Sequence, residues 1–320
     1  MKSVGIDLHK KTITLGVLDH QGASVTTRTF AATAGAKITP LVAALGPFQA
    51  VVAATASSPW LWPLLEPLAQ RLVLAHPGKL RRIAPSTRQS DTFDARVLAE
   101  FLPLDMIPQA SRPTPRHRAH RALVRQRQFL RKQCTPLRNQ VRRLRSDDPA
   151  DRPDLFTPSG REALASVPLS PTDRLLVHQG LEQLQSLQGQ RPAVQQPLRE
   201  FAQNGSPREA EGRRLLRSLL GVGEGTGDVV LAELGDVVRC RSAQHAVADA
   251  GLAPGHRDGA GKTRDLGITK AGSGLWRWVV VEAAWQAVGR AWPGRGIYER
   301  WKRRRGGRGA LVAGRGGCWR

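Results

Sequence analysis

Asp91 and Asp94 stand three residues apart in Ser90-Asp91-Thr92-Phe93-Asp94-Ala95-Arg96, and a third acid, Asp7, sits inside the apolar run Ser3-Val4-Gly5-Ile6-Asp7-Leu8. On a helix the 91/94 spacing puts both carboxylates on one face, in a first turn whose dipole favours negative charge. An acid within a buried strand is costly unless a cation shares its site. Three such carboxylates are hard oxygen ligands of the kind Mg²⁺ takes, and paired ions of this type clamp the attacking and leaving oxygens of phosphodiester chemistry. A plainer alternative has Asp91 capping the helix, Asp94 pairing with a nearby Arg, and Asp7 capping a turn at the frayed end of its strand.

The elements that would position these acids are legible from periodicity. Two β-branched runs, 3–8 and 12–18, flank a short basic turn and predict a hairpin. Ser24–Phe30 alternates as a third strand, and 50–55 and 72–77 read as further apolar strands. Helices are expected near Ile38–Leu45, over Trp60–Arg71, and from Asp91 onward. A three-strand meander followed by alternating helix and strand gives a mixed α/β sheet covered by helices. That is the order of a ribonuclease H-like domain, here placed at 1–110; as a fold analogy it sets no activity by itself.

The chain's partner is suggested by its charge. Its 320 residues carry 49 Lys and Arg against 26 Asp and Glu, a formal net charge of +23. Arg dominates, and its planar fork suits phosphate, so a polyanion is expected. No apolar run approaches a membrane span and no signal peptide is recognisable, which disfavours a membrane role. Cys134, Cys240 and Cys318 lack metal-ligand spacing and fit a reducing cytoplasm, with association to the nucleoid.

Residues 111–205 read as a helical connector. Leu123, Leu130, Leu137 and Leu144 repeat every seven residues, with Cys134 and Val141 between them, on a helix dense in Arg. That is a coiled-coil seam with a basic outer face. A solvated surface is the simpler reading, but charge of nearly one sign repels itself unless phosphates lie alongside. Arg125, Arg131, Arg138 and Arg142 are therefore candidate nucleic-acid contacts. Pro136 should kink or break the seam. A returning helix is expected over about Thr172–Leu187, with Leu176, Leu181, Leu184 and Leu187 on its apolar stripe and its continuation interrupted by Pro192 and Pro197.

Residues 206–300 read as a mostly α domain. Gly221-Val222-Gly223 ahead of an apolar helix gives a turn of helix-hairpin-helix type, whose backbone N–H groups could meet phosphate at Gly221 and Gly223; an ordinary interhelical turn is the alternative. Residues 301–320, rich in Gly and Arg, read as a disordered basic tail.

Taken together, Val4-Gly5-Ile6-Asp7-Leu8-His9-Lys10, Leu74-Ala75-His76-Pro77-Gly78-Lys79-Leu80-Arg81 and Ser90-Asp91-Thr92-Phe93-Asp94-Ala95-Arg96 resemble the DEDD transposases of insertion sequences. This is the insertion-sequence one-ten family, related to Piv-type DNA invertases. Ala250-Gly251-Leu252-Ala253-Pro254 and Gly267-Ile268-Thr269-Lys270-Ala271-Gly272 are similar to its C-terminal domain. The resemblance implies a RuvC-like domain holding Mg²⁺ through Asp7, Asp91 and Asp94. It also implies a connector that assists dimer formation, a serine nucleophile in the C-terminal domain, and recombination of element DNA with a guide RNA by a homo-oligomer. Two positions depart from the pattern. The motif glutamate falls on Ala53, and the nucleophilic serine falls on Gly259 or, with a one-residue gap, on Ala260, with Thr263 and Ser273 the nearest hydroxyls. A basic cradle of Arg257, Lys262, Arg264 and Lys270 remains. The expectation is a recombinase that binds nucleic acid but recombines poorly or not at all; the alternatives are a catalytically dead nucleic-acid-binding protein derived from a transposase, and a nuclease of RuvC type.

Overall fold

In a computed structural model the chain forms two compact units, Met1–Arg112 and Pro113–Arg320. The structure describes residues 1–54, 58–83, 91–144, 154–259, 262–290 and 295–313.

The first unit is built on a five-stranded mixed sheet of order β3-β2-β1-β4-β5, compatible with a ribonuclease H-like fold. Its strands are β1 (Lys2–Leu8), β2 (Thr12–Leu18), β3 (Ser24–Ala31), β4 (Phe48–Ala53) and β5 (Arg71–Ala75). β1, β2 and β3 pair antiparallel, as the meander predicts, and β4 and β5 join in parallel. Side chains alternate across the sheet. Val4, Ile6, Leu8, Ile13, Leu15, Val17, Ala50 and Val52 pack on one face with Ile38 and Val42 of α1 (Gly35–Ala43) and Leu65 of α2 (Trp62–Leu65). Val51, Val73 and Ala75 face the other way, against Leu98 of α4 (Asp91–Phe101) and Leu102 just after it. A short helix, α3 (Pro77–Ile83), follows β5. The helix expected over 60–71 is far shorter: Glu66 caps it with helical dihedrals, and Pro67, which has no N–H, cannot extend its hydrogen-bond ladder.

The second unit is mostly helical. α5 (Pro115–Arg143) and α7 (Pro171–Gln203) run antiparallel, since Val124 shares a cluster with Leu198 and Val141 shares one with Val177. At Gly180 an added Cβ would sit 3.0 Å from Val141 Cγ2, so the two helices approach closely there. A small helix, α6 (Pro158–Ala165), packs at the Val141 end. Pro136 does not end α5, and neither Pro192 nor Pro197 ends α7, where an interruption is expected. Each proline removes one backbone bond, while Leu130, Cys134, Val141, Leu184 and Leu198 stay buried along the pair. Burial of that stripe outweighs the local cost.

The remaining helices are α8 (Pro207–Ser218), α9 (Glu224–Leu234), α10 (Ala243–Asp249), α11 (Gly274–Val288) and α12 (Arg295–Ala313), with a two-stranded ribbon of β6 (Pro254–Gly259) and β7 (Lys262–Ile268). The basic tail is helical through Ala313 rather than disordered, with a break at Gly306, where φ is 71°. Its composition conceals one apolar contact. Tyr298 and Ala310 bury against each other, with Ala284, Val288 and Trp301 around them.

Candidate functional site

Gly5 of β1 and Gly16 of β2 are paired neighbours that let α4 lie directly on the sheet. A Cβ added at Gly5 would meet Ala95 O at 1.9 Å and Ala99 N at 2.6 Å, and one at Gly16 would meet Ala95 C at 3.2 Å. Glycine inside a strand marks such backbone approach, a signal present in the sequence and unused there. Asp7 lies two residues beyond Gly5, on the same face. It is 7% exposed, and its Oδ2 lies 3.0 Å from His9 Nε2. Asp94 immediately precedes Ala95, one turn ahead of buried Leu98. Asp91 is the first residue of α4; its side chain lies outside the described residues. Asp7 and the N-terminal half of α4 thus share one face of the sheet.

Ala53 belongs to the same face. The parallel register ends at Ile6↔Val52, so Ala53 is the next residue beside Asp7, and it packs with Val51 and Leu98. A methyl group therefore occupies the position nearest Asp7 on the adjoining strand. Among the described residues no three His, Cys, Asp or Glu side chains are grouped as a metal site. Asp7 and Asp94 are oxygen donors of a type that fits Mg²⁺.

In the second unit the arginines of α5 meet carboxylates supplied about a hundred residues downstream. α5 contains nine Arg and Lys132 but no Asp or Glu. Arg125 donates to both oxygens of Glu233 at 2.8 and 2.9 Å, and its guanidinium is held more firmly protonated by that bond. Arg127 donates to Asp228 Oδ2 at 3.0 Å and to Gly225 O at 2.9 Å, while Arg213 pairs with Asp228 Oδ1. Arg121 donates to the carbonyls of Ala232 and Glu233 at the end of α9, at 2.6 and 2.8 Å. Arg116 binds Glu209 through Nε and Nη2, and that bond holds the Glu209 carboxyl below its ordinary value. Arg116, Arg125 and Arg127, of the ten cations on α5, are thus paired with carboxylates within the fold. His120 stacks on Phe201 at 5.5 Å, and burial lowers its pKa to about 4, so the imidazole is neutral at physiological pH.

The candidate nucleic-acid contacts are therefore placed differently from one another. Arg125 is committed to Glu233 as just described, Arg131 lies over the Trp278 ring at 5.6 Å, and Arg138 and Arg142 lie over Phe156 at 5.5 and 5.2 Å. Gly221 adopts φ +86°, and a Cβ there would fall 2.4 Å from Ala283 O, so it lets α11 dock; around Gly223 the same position is open. Two left-handed glycines brace the base of the ribbon. A Cβ at Gly251 would lie 2.0 Å from Ala271 O, and one at Gly272 would lie 1.9 Å from Asp249 O. Lys270 is exposed there, and its N–H donates to Gly251 O. Arg257 pairs with Arg264 and Gly259 with Lys262 in the backbone register, so Gly259 is the last paired residue before the ribbon's tip. The side chains of Arg257, Lys262, Thr263 and Arg264 lie outside the described residues. Ser273 caps α11, its Oγ accepting from Trp276 N–H at 3.2 Å.

A family model described as DEDD transposase of the IS110 type matches residues 4–145, and one described as "Transposase IS116/IS110/IS902 family" matches residues 213–299. No curated protein matches the chain.

Proposed function

Because the chain belongs to the IS110-type DEDD transposases of insertion sequences, we propose that it binds element DNA and a guide RNA as a homo-oligomer, with strand-transfer chemistry of its own that is weak or absent. The observation that supports this reading is Ala53, a methyl group beside Asp7, at the position where the family resemblance implies a glutamate. Asp7, Asp91 and Asp94 would hold Mg²⁺, which would offset charge developing on a phosphodiester. With three acids instead of four, the site has about one negative charge less to hold divalent ions. Gly259 gives the ribbon no hydroxyl at the position of the serine nucleophile, and Ser273 spends its hydroxyl on a helix cap.

The domain reading fits beside this. Residues 1–110 form the RuvC-like part, 111–205 a coiled-coil connector assisting dimer formation, and 206–300 the C-terminal domain with its helix-hairpin-helix-like turn at Gly221 and Gly223. In that scheme Arg257, Lys262, Arg264 and Lys270 approach phosphate around the ribbon, and Arg131, Arg138 and Arg142 do so along α5. An independent nuclease of RuvC type is the weaker reading, since it too needs the missing acid.

The test pairs a gel shift with a strand-transfer assay on element-end DNA in Mg²⁺. The unaltered chain should retard the DNA and yield no joined product. Ala53→Glu combined with Gly259→Ser should restore joining. Robust strand transfer by the unaltered chain would overturn the proposal, as would failure to bind nucleic acid at all.

A further inference from the structure

α11 has one face that the described residues leave partly exposed. Trp276, Val279 and Ala287 are buried, Ala283 backs onto Gly221, and Ala284 and Val288 meet α12. The remaining stripe exposes Trp278 at 37%, Glu282, and Trp285 at 43%. Indole is the largest apolar side chain, and two on one exposed helix face are costly to leave in water without a partner. The Arg131 guanidinium lies over Trp278, which places this stripe beside α5. Lys132, next in sequence, is exposed and has no ion-pair partner among the described residues.

We propose that Trp278 and Trp285 are stacking platforms for unpaired bases of a single-stranded nucleic-acid segment, whose phosphates run along Arg131 and Lys132. This rests on the nucleic-acid-binding reading above and adds a strand preference and two contact residues to it. Three features select this occupant. Two turns of helix separate the rings by about 10 Å along the axis, far more than the duplex rise of about 3.4 Å per base, so two neighbouring stacked bases cannot reach both. A duplex presents base edges rather than faces, whereas aromatic rings beside cations are how splayed single strands are held. The cations Arg131 and Lys132 beside the rings complement the charge of a nucleic acid. Glu282, between the rings, repels phosphate but can accept from a base amino group.

Binding of the full chain to a short mixed-sequence oligonucleotide tests this, with separate arms of single-stranded RNA, single-stranded DNA and duplex DNA of the same sequence. Trp278→Ala with Trp285→Ala should weaken single-strand binding about tenfold or more and leave duplex affinity within about twofold. Phe at both positions should restore most of the loss, and whichever single strand loses more identifies the source of the bases. Equal losses in all three arms, or no loss in any, would overturn the inference. So would loss of self-association by light scattering with single-strand binding intact, which would assign the face to a second copy. An unaltered chain that binds no nucleic acid would instead sink the functional proposal on which this rests.

Discussion

Asp228→Ala is expected to lower the unfolding free energy of the helical unit by about 3–5 kcal/mol, the usual cost of removing one partner from a buried ion pair. The Asp228 side chain is 2% exposed and lies between Arg127 and Arg213, themselves 20% and 14% exposed. Its removal leaves two guanidinium groups with little water and no counter-charge. Both arginines come from outside α9, one on α5 and one on α8, so the carboxylate ties three helices together. Urea unfolding followed by tryptophan fluorescence measures the change. A loss under about 1 kcal/mol, as for an exposed surface pair, would show that the three helices are held by their apolar contacts instead.

Gly5→Ala is expected to cost the first unit about 3 kcal/mol, at the upper end of ordinary overpacking, and to move α4 off the sheet. The obstruction is backbone on backbone: the new methyl would stand 1.9 Å from Ala95 O, and no side chain can rotate away to admit it. Because Asp91 and Asp94 travel with α4, the same change should separate them from Asp7. Gly16→Ala, with its nearest contact at 3.2 Å, should cost less. Thermal unfolding of both variants checks the order, and a Gly5→Ala protein as stable as the parent would contradict the close packing of α4 on β1.

Much of the first unit was legible in the sequence because its physics is local. Val4, Ile6 and Leu8 alternate with Ser3, Gly5 and Asp7, which sets strand, face and the side on which the acid lies. Asp91 and Asp94 marked a helix start for the same reason. The opposite case is α5. Its composition showed charge of one sign, and nothing within it showed that Asp228 and Glu233 would return from more than a hundred residues away to meet Arg127 and Arg125. The prolines misled because local propensity was weighed without the buried stripe that holds α5 and α7 together. The β6–β7 ribbon went unseen, since His256-Arg257-Asp258-Gly259 lacks the apolar alternation that announces a strand. In the tail, the packing of Ala310 on the buried Tyr298 just ahead of it outweighed a composition that reads as disorder.

The arrangement of acids is what connects this fold to its proposed chemistry, and metal affinity reports on it without any need for recombination. Isothermal titration of Mg²⁺ into the unaltered chain and into Ala53→Glu is the most direct measurement. A glutamate at 53 stands beside Asp7 on the face covered by α4, so it should tighten binding about tenfold or more, and Asp7→Asn in the same chain should abolish that gain. Equal affinities with and without Glu at 53, or a gain that survives Asp7→Asn, would show that Ala53 does not occupy a vacated ligand position.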